Sequence, residues 1–117
     1  MTNFRERMTG TESAGDLAIR IPLKKLVPKA QFQQVIILEA TNADALIDNR
    51  AENRPSVVGF LDGPVHLTSN AVKLRDEYVT NALESKGYIV VRYPYKPPLT
   101  PKQAEEFAQK IAKANGL

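Results

Sequence analysis

Residues 56–62 constrain this chain more than any other stretch. Val57, Val58, Phe60 and Leu61 form a nearly continuous apolar run. Such runs belong to strands buried on both faces of a sheet. The run stops abruptly at Asp62-Gly63-Pro64, which is turn chemistry. Residues 69–85 then take up helical spacing, with Val72, Tyr78 or Val79, Ala82 and Leu83 on one face and charges on the other. Lys86-Gly87 is a helix stop, and residues 88–93 carry a second apolar run in Ile89, Val90 and Val91. A strand, a helix and a strand in that order predict a right-handed parallel crossover, and therefore an α/β domain.

The remaining segments supply the partners this unit needs. Residues 1–10 are polar and read as a flexible arm. Residues 11–27 fit two patterns. Thr11 can cap a helix with Glu12 in its first turn and Leu17, Ala18, Ile21 and Leu26 on one face, yet Leu17, Ile19, Ile21 and Leu23 also alternate as in a strand. Pro22 counts against an uninterrupted helix, and helix is the expectation by a small margin. Residues 32–38 are rich in β-branched side chains and predict a strand. Thr41-Asn42-Ala43-Asp44 predicts a turn, and residues 45–50 a second strand closing a hairpin. Alanine content keeps open a rival in which residues 29–48 form one long helix. Residues 52–55 predict a turn, and residues 94–98 a stiff proline-rich connector. Thr100-Pro101-Lys102-Gln103 is a helix start, followed by a helix to about residue 114 that buries Ala104, Phe107, Ala108 and Ile111. With 117 residues there is room for one core, so residues 11–117 are expected to form a single domain around a mixed sheet of about four strands, a hairpin followed by the crossover.

Composition narrows the function classes. The chain has no cysteine, which excludes disulfides and cysteine-ligated zinc. No apolar run approaches the roughly 18 residues of a membrane span, and the N-terminus lacks a signal-like apolar region, so a cytoplasmic protein without a membrane partner is expected. The net charge of +3 permits an anionic partner. The positive charge gathers in two places, Lys24, Lys25 and Lys29 early in the chain and Arg92, Lys96 and Lys102 late in it.

Ligand sites in α/β sheets lie beyond the carboxyl ends of strands. Asp62 stands at such an end, with His66 four residues on. Asp48 precedes Asp62 by fourteen residues on the expected hairpin strand, close enough in sequence for neighbouring strands to bring the two acids together. Paired carboxylates repel, and a divalent cation relieves the repulsion; oxygen ligands of this type suit magnesium or manganese. Each residue also has a plain structural role open to it: Asp62 as a turn former, His66 as a surface or capping residue, Asp48 as a solvated turn acid, and Arg75-Asp76 as a helical ion pair.

Phe60-Leu61-Asp62-Gly63-Pro64-Val65-His66, then Arg75-Asp76, Leu83, Gly87-Tyr88 and Val90-Val91-Arg92, resembles the core of very-short-patch-repair-type endonucleases and their relatives in the PD-(D/E)xK restriction-endonuclease-like superfamily. The match spans about residues 45–95. The resemblance implies a metal-dependent DNA endonuclease with Asp48 and Asp62 holding magnesium or manganese. It implies His66 at the active site, Asp76 and Arg75 supporting it, and Glu12 as a further acid on the first helix. Lys24, Lys25, Arg92 and Lys96 would then hold DNA phosphates, and a homodimer is compatible. The chain departs from the superfamily pattern in three places. Asn49 follows Asp48, Phe60 stands where many relatives carry glutamate, and Pro64 occupies the position of the usual lysine. The alternatives are an inactive nucleic-acid-binding domain of the same fold, or an interaction module.

Overall fold

The computed structural model describes residues 18–36 and 41–116. Four strands form one sheet in the order β1-β2-β3-β4: β1 (Gln31–Ile36), β2 (Thr41–Ile47), β3 (Val57–Asp62) and β4 (Ile89–Pro94). β1–β2 and β2–β3 are antiparallel and β3–β4 is parallel, so the sheet is mixed. Helices α1 (Arg20–Leu26), α2 (Pro64–Thr68), α3 (Asn70–Ser85) and α4 (Pro101–Ala114) flank it. No helix among the described residues is long and apolar enough to cross a membrane.

β3 is buried at all six positions because it is covered on both sides. Val57 and Leu61 face a layer made by α1 and α4, together with Ile19, Leu23, Phe107, Ala108 and Ile111. Gly59 shares that face, where an added Cβ would lie 2.5 Å from Ile111 Cδ1 and 2.8 Å from Phe107 Cζ; only a glycine lets α4 sit so close. Val58 and Phe60 face the other layer, where Val79 and Leu83 of α3 cover them. Tyr78, one of two residues expected to pack there, is instead 70% exposed.

α4 forms as its start sequence dictates. Thr100 Oγ1 accepts from the Gln103 backbone N–H, and the Gln103 side chain accepts from the Thr100 N–H. Ser69 caps α3 by accepting from Val72 N–H, and Gly87 at φ 93° ends the connection out of α3. Over the described residues 18–26 the ambiguous N-terminal stretch is helical. Pro22 falls in the first turn of α1, where its missing N–H had no intrahelical partner to lose. Glu12 and the expected arm lie outside the described residues.

The hairpin differs from expectation by one decisive shift. Thr41-Asn42-Ala43-Asp44 is not a turn but the first half of β2, and residues 48–53 leave the sheet through a 3-10 turn at Arg50–Glu52. Asn49 is fully buried and ties the exit of β2 to the far end of α4. Its amide donates to Asn115 Oδ1 at 2.6 Å and to the Pro55 carbonyl at 2.8 Å.

Candidate functional site

Asp48 is not part of the site at Asp62. Ile47 pairs with Val57 in an antiparallel ladder, so Asp48 is level with Ser56, at the opposite end of β3 from Asp62. At ~3.3 Å per residue, about 20 Å of strand separates the two acids. Asp48 is instead closed on Arg50, which donates from Nε at 2.9 Å and from Nη2 at 2.6 Å. Those bonds hold its carboxyl down at a pKa of about 2. The same antiparallel register brings a different acid to the correct end. Asp44, one step beyond the Ala45–Gly59 pair, is level with Phe60, and its Oδ2 accepts from the Leu61 backbone N–H at 2.7 Å.

Asp62 emerges from β3 on the α3 side of the sheet. Pro64 opens α2 at its first position, and one turn of this short helix returns His66 toward Asp62, with His66 Nδ1 3.7 Å from Asp62 Oδ1. Gly63, at φ −74°, makes this entry without a left-handed backbone. Asp76, from the second turn of α3, meets the same ring: His66 Nδ1 lies 2.6 Å from Asp76 Oδ2. In the tautomer that donates Nδ1–H to Asp76, Nε2 is the ring's lone-pair nitrogen. Asp76 therefore orients His66 rather than pairing with its neighbour Arg75, which stands exposed at the rim.

Arg92 completes the cluster from β4. The parallel register sets it beside Phe60, and its guanidinium lies 4.4 Å from the Phe60 ring centroid. Nη1 donates to Asp62 Oδ1 at 3.0 Å, Nε to Thr80 Oγ1 at 2.8 Å, and Nη2 to the Asp76 carbonyl at 3.3 Å. These three bonds place Arg92 inside the cluster, beside the Asp62 carboxylate. Burial pushes the Asp62 carboxyl above its ordinary range, and the Arg92 and His66 charges only partly oppose the shift.

These groups line a recess of about 420 Å³ that includes Asn42, Asp44, Phe60, Asp62, Val65, His66, Arg75, Asp76 and Arg92. Asp62, His66 and Asp76 each present a ligand atom within 4.8 Å of the others, a spacing that fits one metal ion. The Asp62 and Asp76 carboxylates are donors a hard divalent ion accepts, and the His66 ring stands beside them. Lys96 lies two residues past β4, at the same end of the sheet. Lys24 and Lys25 are exposed on α1, in the opposite layer, and do not join the site. No family model, curated protein or solved structure matches the chain.

Proposed function

We propose that this chain is a metal-dependent DNA endonuclease of the PD-(D/E)xK restriction-endonuclease-like kind. The observation that carries it is the convergence of Asp44, Asp62, Asp76 and His66 on one recess at the carboxyl end of β3. Asp62 and Asp76 would hold magnesium or manganese, with Asp44 beside them on β2. The ion would supply positive charge to the phosphate in its crowded transition state and make bound water more acidic. His66, held by Asp76, takes a proton from the attacking water through Nε2. Arg92 brings to Asp62 from β4 the positive charge that Pro64 cannot bring from within the motif. Arg75 and Lys96 hold the flanking phosphates.

A second reading, an inactive DNA-binding domain, is favoured by one contact: Arg92 already occupies Asp62 Oδ1, an oxygen the metal needs. Incubating the protein with single-stranded, double-stranded and branched DNA, with magnesium, manganese or chelator, separates the two. Cleavage that requires the metal and disappears in Asp62→Asn supports the nuclease. Salt-sensitive DNA binding without cleavage by the wild type supports the inactive domain, and no DNA binding at all removes both.

A further inference from the structure

Asp62 and Asp76 share a second neighbour besides the His66 ring. Arg92 Nη1 stands between the two carboxylates, 3.0 Å from Asp62 Oδ1 and 3.7 Å from Asp76 Oδ1. The Asp62 side chain is 10% exposed and that of Arg92 20%, so little water screens the pair. Two carboxylates held this close in a sheltered recess repel each other, and a cation between them relieves the repulsion. In the chain without metal that cation is a guanidinium. The same two carboxylates, with His66, are the groups that could hold a metal ion. The ion and the guanidinium therefore contend for one place, and their like charges oppose each other.

We propose that Arg92 is the built-in counter-ion of this recess: its guanidinium stands between Asp62 and Asp76 in the metal-free protein, a divalent ion binds by displacing it from Asp62, and Arg92 thereby sets how tightly the metal is held. The proposal rests on the metal-centre part of the nuclease reading. The remaining contacts of Arg92 make the displacement small. Nε donates to Thr80 Oγ1 at 2.8 Å, Nη2 to the Asp76 backbone carbonyl at 3.3 Å, and the guanidinium lies 4.4 Å from the Phe60 ring centroid. None of those three partners is a group that could hold the ion. Arg92 gives up its place beside the carboxylates and stays at the recess, held by β3 and α3. A guanidinium that merely aimed the Asp62 carboxylate would have the opposite effect, since its removal would loosen a metal donor and weaken binding.

Two variants of the full chain separate charge from geometry. Arg92→Gln removes the charge, and Arg92→Lys keeps it; both lose the planar fork. Manganese affinity by calorimetry should rise about 10-fold or more in Arg92→Gln, the scale on which one like charge within about 4–6 Å shifts a protonation equilibrium. Arg92→Lys should stay near wild type. Without metal, Arg92→Gln should melt at a lower temperature than wild type, and saturating manganese should raise its melting temperature by more than it raises that of the wild type. A third measurement needs no variant that folds poorly: the Arg92 Nε–H resonance of the wild type should shift as magnesium is added, along the same curve as metal binding. Manganese binding by Arg92→Gln but not by the wild type supports the counter-ion role while the nuclease reading of the wild type falls. Unchanged or weaker binding in Arg92→Gln overturns the proposal and leaves the nuclease reading standing, as does equal tightening in Arg92→Gln and Arg92→Lys, or an Arg92 resonance that ignores bound magnesium. Absence of binding in both wild type and Arg92→Gln overturns the proposal and the metal centre together.

Discussion

Asp62 is ionised at a cost. Burial raises its pKa from the ordinary 3.8, so the folded state binds that proton more tightly than the unfolded chain does. The cost is absent below about pH 3.8 and grows as pH rises through the raised folded-state pKa. Asp62→Asn cannot ionise, so its melting temperature at pH 7 should equal or exceed that of the wild type, with the difference gone at pH 3. Added manganese should raise the melting temperature of the wild type and not of the variant, since a ligand stabilises only the state that binds it. Asp48 behaves in the opposite sense. Its pKa falls from 3.8 to about 2, so its contribution is present above pH 3.8 and is lost as pH drops toward 2. Arg50 is exposed to solvent, which keeps that contribution small. Asp48→Asn should therefore cost little stability at pH 7, match the wild type near pH 2, and leave cleavage unchanged. His66→Ala should lower cleavage by roughly a hundredfold, the usual scale for a lost general base, with a small change in melting temperature because the ring is partly exposed. Retained cleavage would remove His66 from the mechanism.

Two glycines on or next to β3 separate packing from turning. Gly59→Ala forces a Cβ against Ile111 and Phe107 and should destabilise the fold by about 1–3 kcal/mol, read by denaturant unfolding. At Gly63 an added Cβ meets nothing within 4 Å, so Gly63→Ala should leave both stability and cleavage near wild type. The glycine of Asp-Gly-Pro reads as essential to a sharp turn in the sequence, yet the φ of −74° shows that other residues can adopt this backbone. The elements that local chemistry decides were legible: the apolar run of β3, the periodicity and stop of α3, the capping box of α4, and Asp62 with His66 beyond a strand end. Asp44 was not, because Thr-Asn-Ala-Asp has turn propensity and only pairing with β1 and β3 makes it a strand. The choice of Asp48 followed from that shift, since an antiparallel partner reverses which end of the strand meets Asp62. The place of Arg92 against Phe60 depends on parallel pairing across the α3 crossover, which no local pattern encodes.

On the scale of the whole sheet, Arg75 and Lys96 are set apart from Lys24 and Lys25. Arg75 and Lys96 are at the site's end of the sheet, while Lys24 and Lys25 sit on α1 in the other layer. DNA affinity should fall steeply with salt, and Arg75→Glu or Lys96→Glu should each reduce the slope of log affinity against log salt by about 0.9. Lys24→Glu with Lys25→Glu should leave that slope near wild type, measured by fluorescence anisotropy. The strand order has a consequence for self-association as well. Among the described residues, β1 and β4 are the outermost strands of the sheet, and each is interrupted. Tyr95 N–H turns inward to the Asp62 carbonyl, so the preceding position faces outward by alternation, and Pro94 has no N–H to offer a neighbour there. On the other side, the left-handed backbone of Gln33 breaks the straight row of β1 donors and acceptors that an incoming strand would need. A kinked rim on one side and a proline on the other discourage sheets from joining end to end into fibrils. Any homodimer is therefore better served by helix surfaces than by a continuous intermolecular sheet.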